Sequence, residues 1–216
     1  MKPVFLAALL AAAAAAQPKP NPALTPVQDV PGLPRVLLIG DSISIGYTLP
    51  VRELLRGKAN VHRIATNGGP TTNGMKNLDR WLGDAKWDVI HFNFGLHDLK
   101  IMDGGKHQVP LEQYETNLRA IVARLNRTGA KLIWASTTPV PKGNLKPPRN
   151  PADAVAYNFV AKKIAQEAGI PTDDLYGFVL PREEEWQLPS NVHFTKDGYQ
   201  ALARQVAESI LKELPK

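Results

Sequence analysis

Gly40-Asp41-Ser42-Ile43-Ser44 stands directly after the apolar run Arg35 to Ile39. A serine at a strand-to-helix turn holds its hydroxyl in the open, and its own backbone N–H points to the same space. One residue then supplies a nucleophile and an oxyanion donor, as acyl transfer requires. Taken alone, Gly-Asp-Ser also reads as a helix N-cap, so the reading depends on a base. Of the five histidines, His62 and His91 fall inside predicted strands and read as structural. His107 sits in a glycine- and lysine-bearing loop and reads as solvated. His193 lies between Pro189-Ser190-Asn191 and a final helix, where turn and helix together would hold it in place. It is the candidate general base.

Strands and helices alternate along the chain. Predicted strands cover Arg35 to Gly40, Asn60 to Ile64, Trp87 to Phe94 and Lys131 to Ser136. Predicted helices cover Ile45 to Arg56, Met75 to Leu82, Pro110 to Leu125, Pro151 to Ala168 and Lys196 to Leu214, the last capped by Thr195. Leu111, Tyr114, Leu118, Ile121, Val122 and Leu125 share one helix face at spacings of three and four. Strands that alternate with helices of this length give an α/β three-layer fold on a parallel sheet. Ligands in such sheets bind outside the carboxyl ends of the strands. The loops beginning at Gly40, Ala65, Gly95 and Thr137 therefore face one crevice.

The chain has 216 residues, 44% hydrophobic and 21% charged. That suits one globular domain and excludes a disordered or fibrous chain. There is no cysteine, which excludes disulfides, thiol catalysis and thiolate-bound zinc. Lys and Arg number 26 against 20 Asp and Glu, a net charge of +6 without a dense basic run. No nucleic-acid partner is expected. Met1-Lys2-Pro3 followed by the apolar stretch Val4 to Ala16 reads as a secretory signal peptide over 1–16, cleaved near Gln17. The stretch is shorter than the roughly 20 residues of a membrane span. A secreted or periplasmic protein, with no membrane contact after cleavage, is expected. Residues 17–34 carry six prolines and read as an extended tether. The domain is expected over 35–216.

The motifs resemble those of the SGNH, or GDSL-type, hydrolases. Gly40 to Ser44 resembles the first block. Asn67-Gly68-Gly69-Pro70-Thr71-Thr72-Asn73-Gly74 is similar to the second. Gly95-Leu96-His97-Asp98 resembles the third, Gly-x-Asn-Asp, and Ser190-Asn191-Val192-His193 with Phe194-Thr195 resembles the fifth, Asp-x-x-His. The likeness spans Arg35 to Leu214. It implies a flavodoxin-like five-stranded parallel sheet, order 2-1-3-4-5, and an ester hydrolase without metal or organic cofactor. It also implies that Ser42 attacks and His193 takes the proton. The oxyanion hole would use the Ser42 N–H, a backbone N–H from Gly69 or Thr72, and the third-block side chain.

Two positions depart from the family pattern. The third-block asparagine is His97, which can donate one N–H when neutral but would weaken a nearby His193 if charged. The fifth-block aspartate is Ser190, which brings no charge. Ser190, Asn191 or a backbone carbonyl near Pro189 would then orient His193, with Asp41 and Asp98 as further supports. The expected substrate is a small-molecule or glycan ester. The competing readings are a lipolytic or thioester hydrolase of the same chemistry and a non-catalytic binding protein on the same fold. Asn67, Asn93 and Trp134 could border a sugar, although the apolar strand around Trp134 favours the core. The loop Pro139 to Pro151, with Lys142, Lys146 and Arg149, reads as solvated or as facing an acidic glycan.

Overall fold

A computed structural model describes residues 20–215; the leader expected over 1–16 lies outside them. Five strands, β1 (Arg35–Ile39), β2 (Asn60–Arg63), β3 (Val89–Phe92), β4 (Lys131–Ala135) and β5 (Thr172–Asp173), form one parallel sheet in the order 2-1-3-4-5. Val36, Leu37, Leu38 and Ile39 of β1 are all buried, as are all four residues of β3. Central strands of a parallel sheet are covered on both faces, so apolar runs rather than alternation mark them.

The helices are α1 (Ser42–Leu54), α2 (Thr71–Leu82), α3 (Leu111–Asn126), α4 (Pro151–Glu167), α5 (Leu175–Val179), α6 (Glu183–Trp186) and α7 (Lys196–Glu213). Two of them begin earlier than the sequence suggests. Helix α1 starts at Ser42 because the Asp41 side chain accepts from the Ile43 N–H. Helix α2 starts at Thr71, where the first N–H is satisfied by Asp98 from a different loop, at 2.8 Å. No local residue announces that cap. The short strand β5 and the helices α5 and α6 were not predicted from the residues, since two to five residues are too few to show a period.

Residues 20–34 correct the expectation of a tether. They open with a short 3₁₀ turn at Pro22–Leu24 and lie against the domain. Ala23 is buried. The Arg52 guanidinium donates to the Pro22 and Thr25 carbonyls, and Asn60 exchanges hydrogen bonds with Val30 and donates to Leu33. Asp29 bridges Arg35 and His62.

Helices α1 and α7 pack closely, and Gly46 makes this possible. A Cβ at Gly46 would lie 2.1 Å from the Tyr199 ring. The contact brings the start of α7, and the loop ahead of it, over the start of α1. His193 stands on that loop and Ser42 on that helix.

Candidate active site

Ser42 is the first residue of α1. Its Oγ lies 2.9 Å from His193 Nε2, across 151 residues of sequence. The Ser42 N–H is one of the groups that the first turn of a helix leaves unpaired. His193 stands in a narrow loop closed by a bridge between Gln187 and Phe194. The Leu188 N–H donates to the His193 carbonyl at 2.9 Å, and Thr195 caps α7 through the Gly198 N–H.

Asn191 supplies the partner for the other ring nitrogen. Its Oδ1 accepts from the His193 backbone N–H at 3.0 Å and faces Nδ1 at 2.8 Å. A backbone N–H can only donate, so the amide oxygen is the atom turned to the ring. His193 Nδ1 therefore carries the hydrogen, and Nε2 presents its lone pair to the Ser42 hydroxyl. This is the tautomer a general base needs. Ser190, with φ +51, holds its hydroxyl towards Gly143 instead. Of the candidate orienters, only Asn191 reaches His193. Asp41 caps α1 and Asp98 binds Thr71. Asn191→Ala is expected to lower kcat by about 10–100-fold with little change in KM. Asn191→Asp keeps an acceptor and should retain most activity. Equal losses in the two variants would assign the effect to the loop, not to the acceptor.

The second-block candidates separate. The Gly69 N–H donates to Asn67 Oδ1 at 2.9 Å and is occupied. The Thr72 N–H, in the first turn of α2, has no partner among the described residues. Two helix N-termini thus leave free N–H groups, and both carry partial positive charge. His97 is half-buried, with its Nδ1 2.9 Å from Lys100 Nζ. Burial depresses its basicity, and Lys100, Arg149 and His193 depress it further; Asp41 works in the opposite direction.

Chemically, this is a hydroxyl hydrogen-bonded to a histidine in the tautomer a base needs, at the start of a helix with unpaired N–H groups. Residues 38–201 match the GDSL-like lipase/acylhydrolase family, which is most of the chain. The chain belongs to that family. A GDSL esterase/lipase of Arabidopsis thaliana is 26% identical over 210 residues, covering 83% of this chain and 86% of the relative. Among solved structures, a lipase/acylhydrolase from Enterococcus faecalis superposes with TM-score 0.73 at 21% identity, covering 85% of this chain and 98% of that one. An acetylxylan esterase from Geobacillus stearothermophilus superposes with TM-score 0.70 at 21% identity, covering 82% and 94%. These two share the fold. As a GDSL-like acylhydrolase, the chain is a carboxylic ester hydrolase.

The remaining histidines are structural. His62 meets Asp29, and His91 is buried against Asp173 Oδ2 at 2.9 Å. His107 corrects the expectation of a solvated side chain: it pairs with Asp153 Oδ2 at 2.8 Å and packs edge-on to Tyr157. Trp134 is core, and Asn93 ties the end of β3 to the Ala135 carbonyl at 2.8 Å.

Arg63 is the positioning residue that sequence reasoning missed. It is buried at the end of β2. One terminal nitrogen donates to Gly40 O at 2.8 Å, Asp41 O at 3.0 Å and Ser44 Oγ at 2.8 Å. The other donates to Ile64 O at 2.8 Å and Thr66 O at 2.6 Å. The first two blocks of this acylhydrolase are therefore held by one guanidinium. Burial pushes it down to about 10. The only sequence signal was a charge at the end of an otherwise buried strand.

Asp98 locks the third block to α2. Its Oδ1 accepts from the Thr71 N–H and hydroxyl, at 2.8 and 2.5 Å, and its Oδ2 has no partner among the described residues. Desolvation outweighs the Thr71 hydrogen bonds and pushes the carboxyl up to about 7. A carboxyl raised in the folded state stabilises the fold while protonated. That contribution is complete below its ordinary 3.8 and is lost as pH rises through about 7. Asp98→Asn keeps the neutral shape and removes the titration. Its melting temperature should vary less than the wild type's between about pH 4 and pH 8, and should equal or exceed it at the upper end. Thermal melts across that range test this, and parallel curves for the two proteins would refute it.

Proposed function

We propose that this esterase is exported and removes acetyl or other short acyl groups from a carbohydrate. The observation that carries the mechanism is the relay Asn191 Oδ1, His193, Ser42 Oγ at 2.8 and 2.9 Å. Ser42 Oγ attacks the acyl carbon while His193 Nε2 takes its proton. The oxyanion is held by the Ser42 N–H, the Thr72 N–H and the His97 side chain. His193 then returns the proton to the departing alcohol, leaving an acyl-serine. Water repeats the sequence and releases the acid. The orienting group is a neutral amide, so this is a Ser-His dyad with an oriented base.

Three observations support this reading. The acetylxylan esterase fold likeness is one. A second is a groove of about 820 Å³ beside the His193 loop, bordered by Pro139, Lys142, Tyr176, Leu180, Leu188 and Ser190. Its aromatic and apolar walls with a charged rim suit sugar faces and hydroxyls. The third is the leader-like stretch Val4 to Ala16, which supports export. Among the described residues, no helix is long and apolar enough to cross a membrane.

Exposed Leu180 and Leu188 in the same groove favour an acyl chain as the second reading. One panel separates the two: acetate release from acetylated polysaccharides against hydrolysis of esters of increasing acyl length. The carbohydrate reading expects kcat/KM to be highest on acetylated glycans and to fall with acyl length. A rise with acyl length would replace it with the lipolytic reading.

A further inference from the structure

An oxyanion donor must present hydrogen, not a lone pair. An asparagine at the third-block position always does so through its NH2. A histidine does so only in the right tautomer, because a neutral imidazole donates at one nitrogen and accepts at the other. His97 therefore creates a requirement that the family's asparagine does not have, and something in this chain has to meet it.

Lys100 stands three residues on, with Nζ 2.9 Å from His97 Nδ1. An ammonium has three hydrogens to give and no lone pair. Nδ1 must accept, so the ring's single hydrogen is on Nε2, at the opposite edge. We infer that Lys100 is a positioning residue that locks His97 in the neutral Nε2–H tautomer and so makes it a standing oxyanion donor. This rests on the ester-hydrolase mechanism proposed above.

The surroundings fit this role. The loop carrying the pair is held at several points. The Leu99 N–H donates to Gly95 O at 3.0 Å, and the Val109 N–H donates to Asp98 O at 3.0 Å. Arg149 Nε, from the loop after β4, donates to Leu96 O at 3.0 Å. The charged and titratable groups facing His97 are Lys100 and Asp98 on its own loop, Asp41 from the β1–α1 turn, Arg149, and His193 from the loop before α7. Asp98 turns its bonded oxygen to Thr71. Lys100, Arg149 and His193 oppose a second proton on His97, as does burial, and Asp41 alone favours it. A neutral His97 also spares His193 a cationic neighbour. Lys100 thus acquires a purpose inside the reaction.

The test reads the tautomer directly and then its kinetic consequence. Long-range proton–nitrogen correlation spectra of histidine-labelled protein report which ring nitrogen bears hydrogen. His97 signals are assigned by their loss in His97→Asn. Wild-type His97 is expected as Nε2–H at neutral pH. Lys100→Met should admit the Nδ1–H tautomer or a titrating imidazolium. It should lower kcat about tenfold with KM nearly unchanged, part of the 10²–10³ that a whole oxyanion donor supplies. Lys100→Arg also only donates and should restore most of the rate. In a His97→Asn background, Lys100→Met should change nothing further.

A wild-type His97 found as Nδ1–H, or as imidazolium near pH 6, would overturn the inference. So would a Lys100→Met loss that persists in the His97→Asn background, because Lys100 would then act on the substrate. Failure of the ester-hydrolase reading looks different. The Nε2–H tautomer would be present, but no ester would be cleaved in a Ser42-dependent way. That result would remove the catalytic purpose of the pair.

Discussion

Ser42→Ala is expected to lower kcat on a small activated acetate ester by at least about 1,000-fold, while the melting temperature moves by no more than about 2 °C. The two halves of this expectation come from different atoms. Ser42 Oγ has His193 Nε2 as its hydrogen-bond partner. The cap of α1 belongs to Asp41, which binds the Ile43 N–H. Removing the hydroxyl therefore deletes the nucleophile and leaves the helix start intact. The Ser42 N–H also survives, so the oxyanion site remains and gives the variant a small residual rate. Hydrolysis of the acetate ester and thermal melting, measured on the same preparations, check both halves. More than a few per cent of wild-type activity would sink the assignment of the nucleophile. A collapsed melt would mean that the serine is chiefly a structural residue.

Arg63→Met is expected to lower stability and activity together. Its guanidinium donates to four carbonyls and the Ser44 hydroxyl. The Gly40 and Asp41 carbonyls also accept from the Gly68 and Ile45 N–H groups, and Thr66 is exposed, so the buried Ile64 carbonyl depends most on Arg63. Leaving the Ile64 carbonyl as a buried orphan costs about 1–3 kcal/mol. For a chain of this length that corresponds to a fall in Tm of roughly 2–12 °C. Activity should fall further than unfolding explains, because the Gly40 and Thr66 carbonyls that Arg63 ties together flank the nucleophile and the second block. Arg63→Lys should not rescue, as one ammonium cannot reach both groups of acceptors. Denaturation midpoints together with kcat measured well below them test this. A variant with wild-type stability would show that the carbonyls find other partners.

Much of the fold was readable because it is written in local patterns. The apolar runs of β1 and β3 announce strands covered on both faces, and the amphipathic stripe of α3 announces its buried side. Thr195 announces α7 by capping it. What escaped was either too short to have a period, such as β5 with its two residues, or held from a distance. Helix α2 begins at Thr71 because Asp98 caps it from another loop. The expected tether over 17–34 docks, where described, because Arg52 and Asn60 bind its backbone. Neither contact leaves a mark in the neighbouring sequence.

The site divides along the same line. By themselves, the residue types and their order pointed to a serine at a strand-to-helix turn, a histidine ahead of the last helix, and a family of ester hydrolases. They also placed Ser190 and His97 at the positions where the resembled motifs carry aspartate and asparagine. Only the tertiary structure decided which groups meet: Asn191 rather than Ser190 on His193, Thr72 rather than Gly69 with an unpaired N–H, and Lys100 on His97. The physical reason is that a hydrogen bond depends on direction and on which partners are already taken. Sequence lists the groups able to donate and accept, and folding settles which of them are left free to face one another.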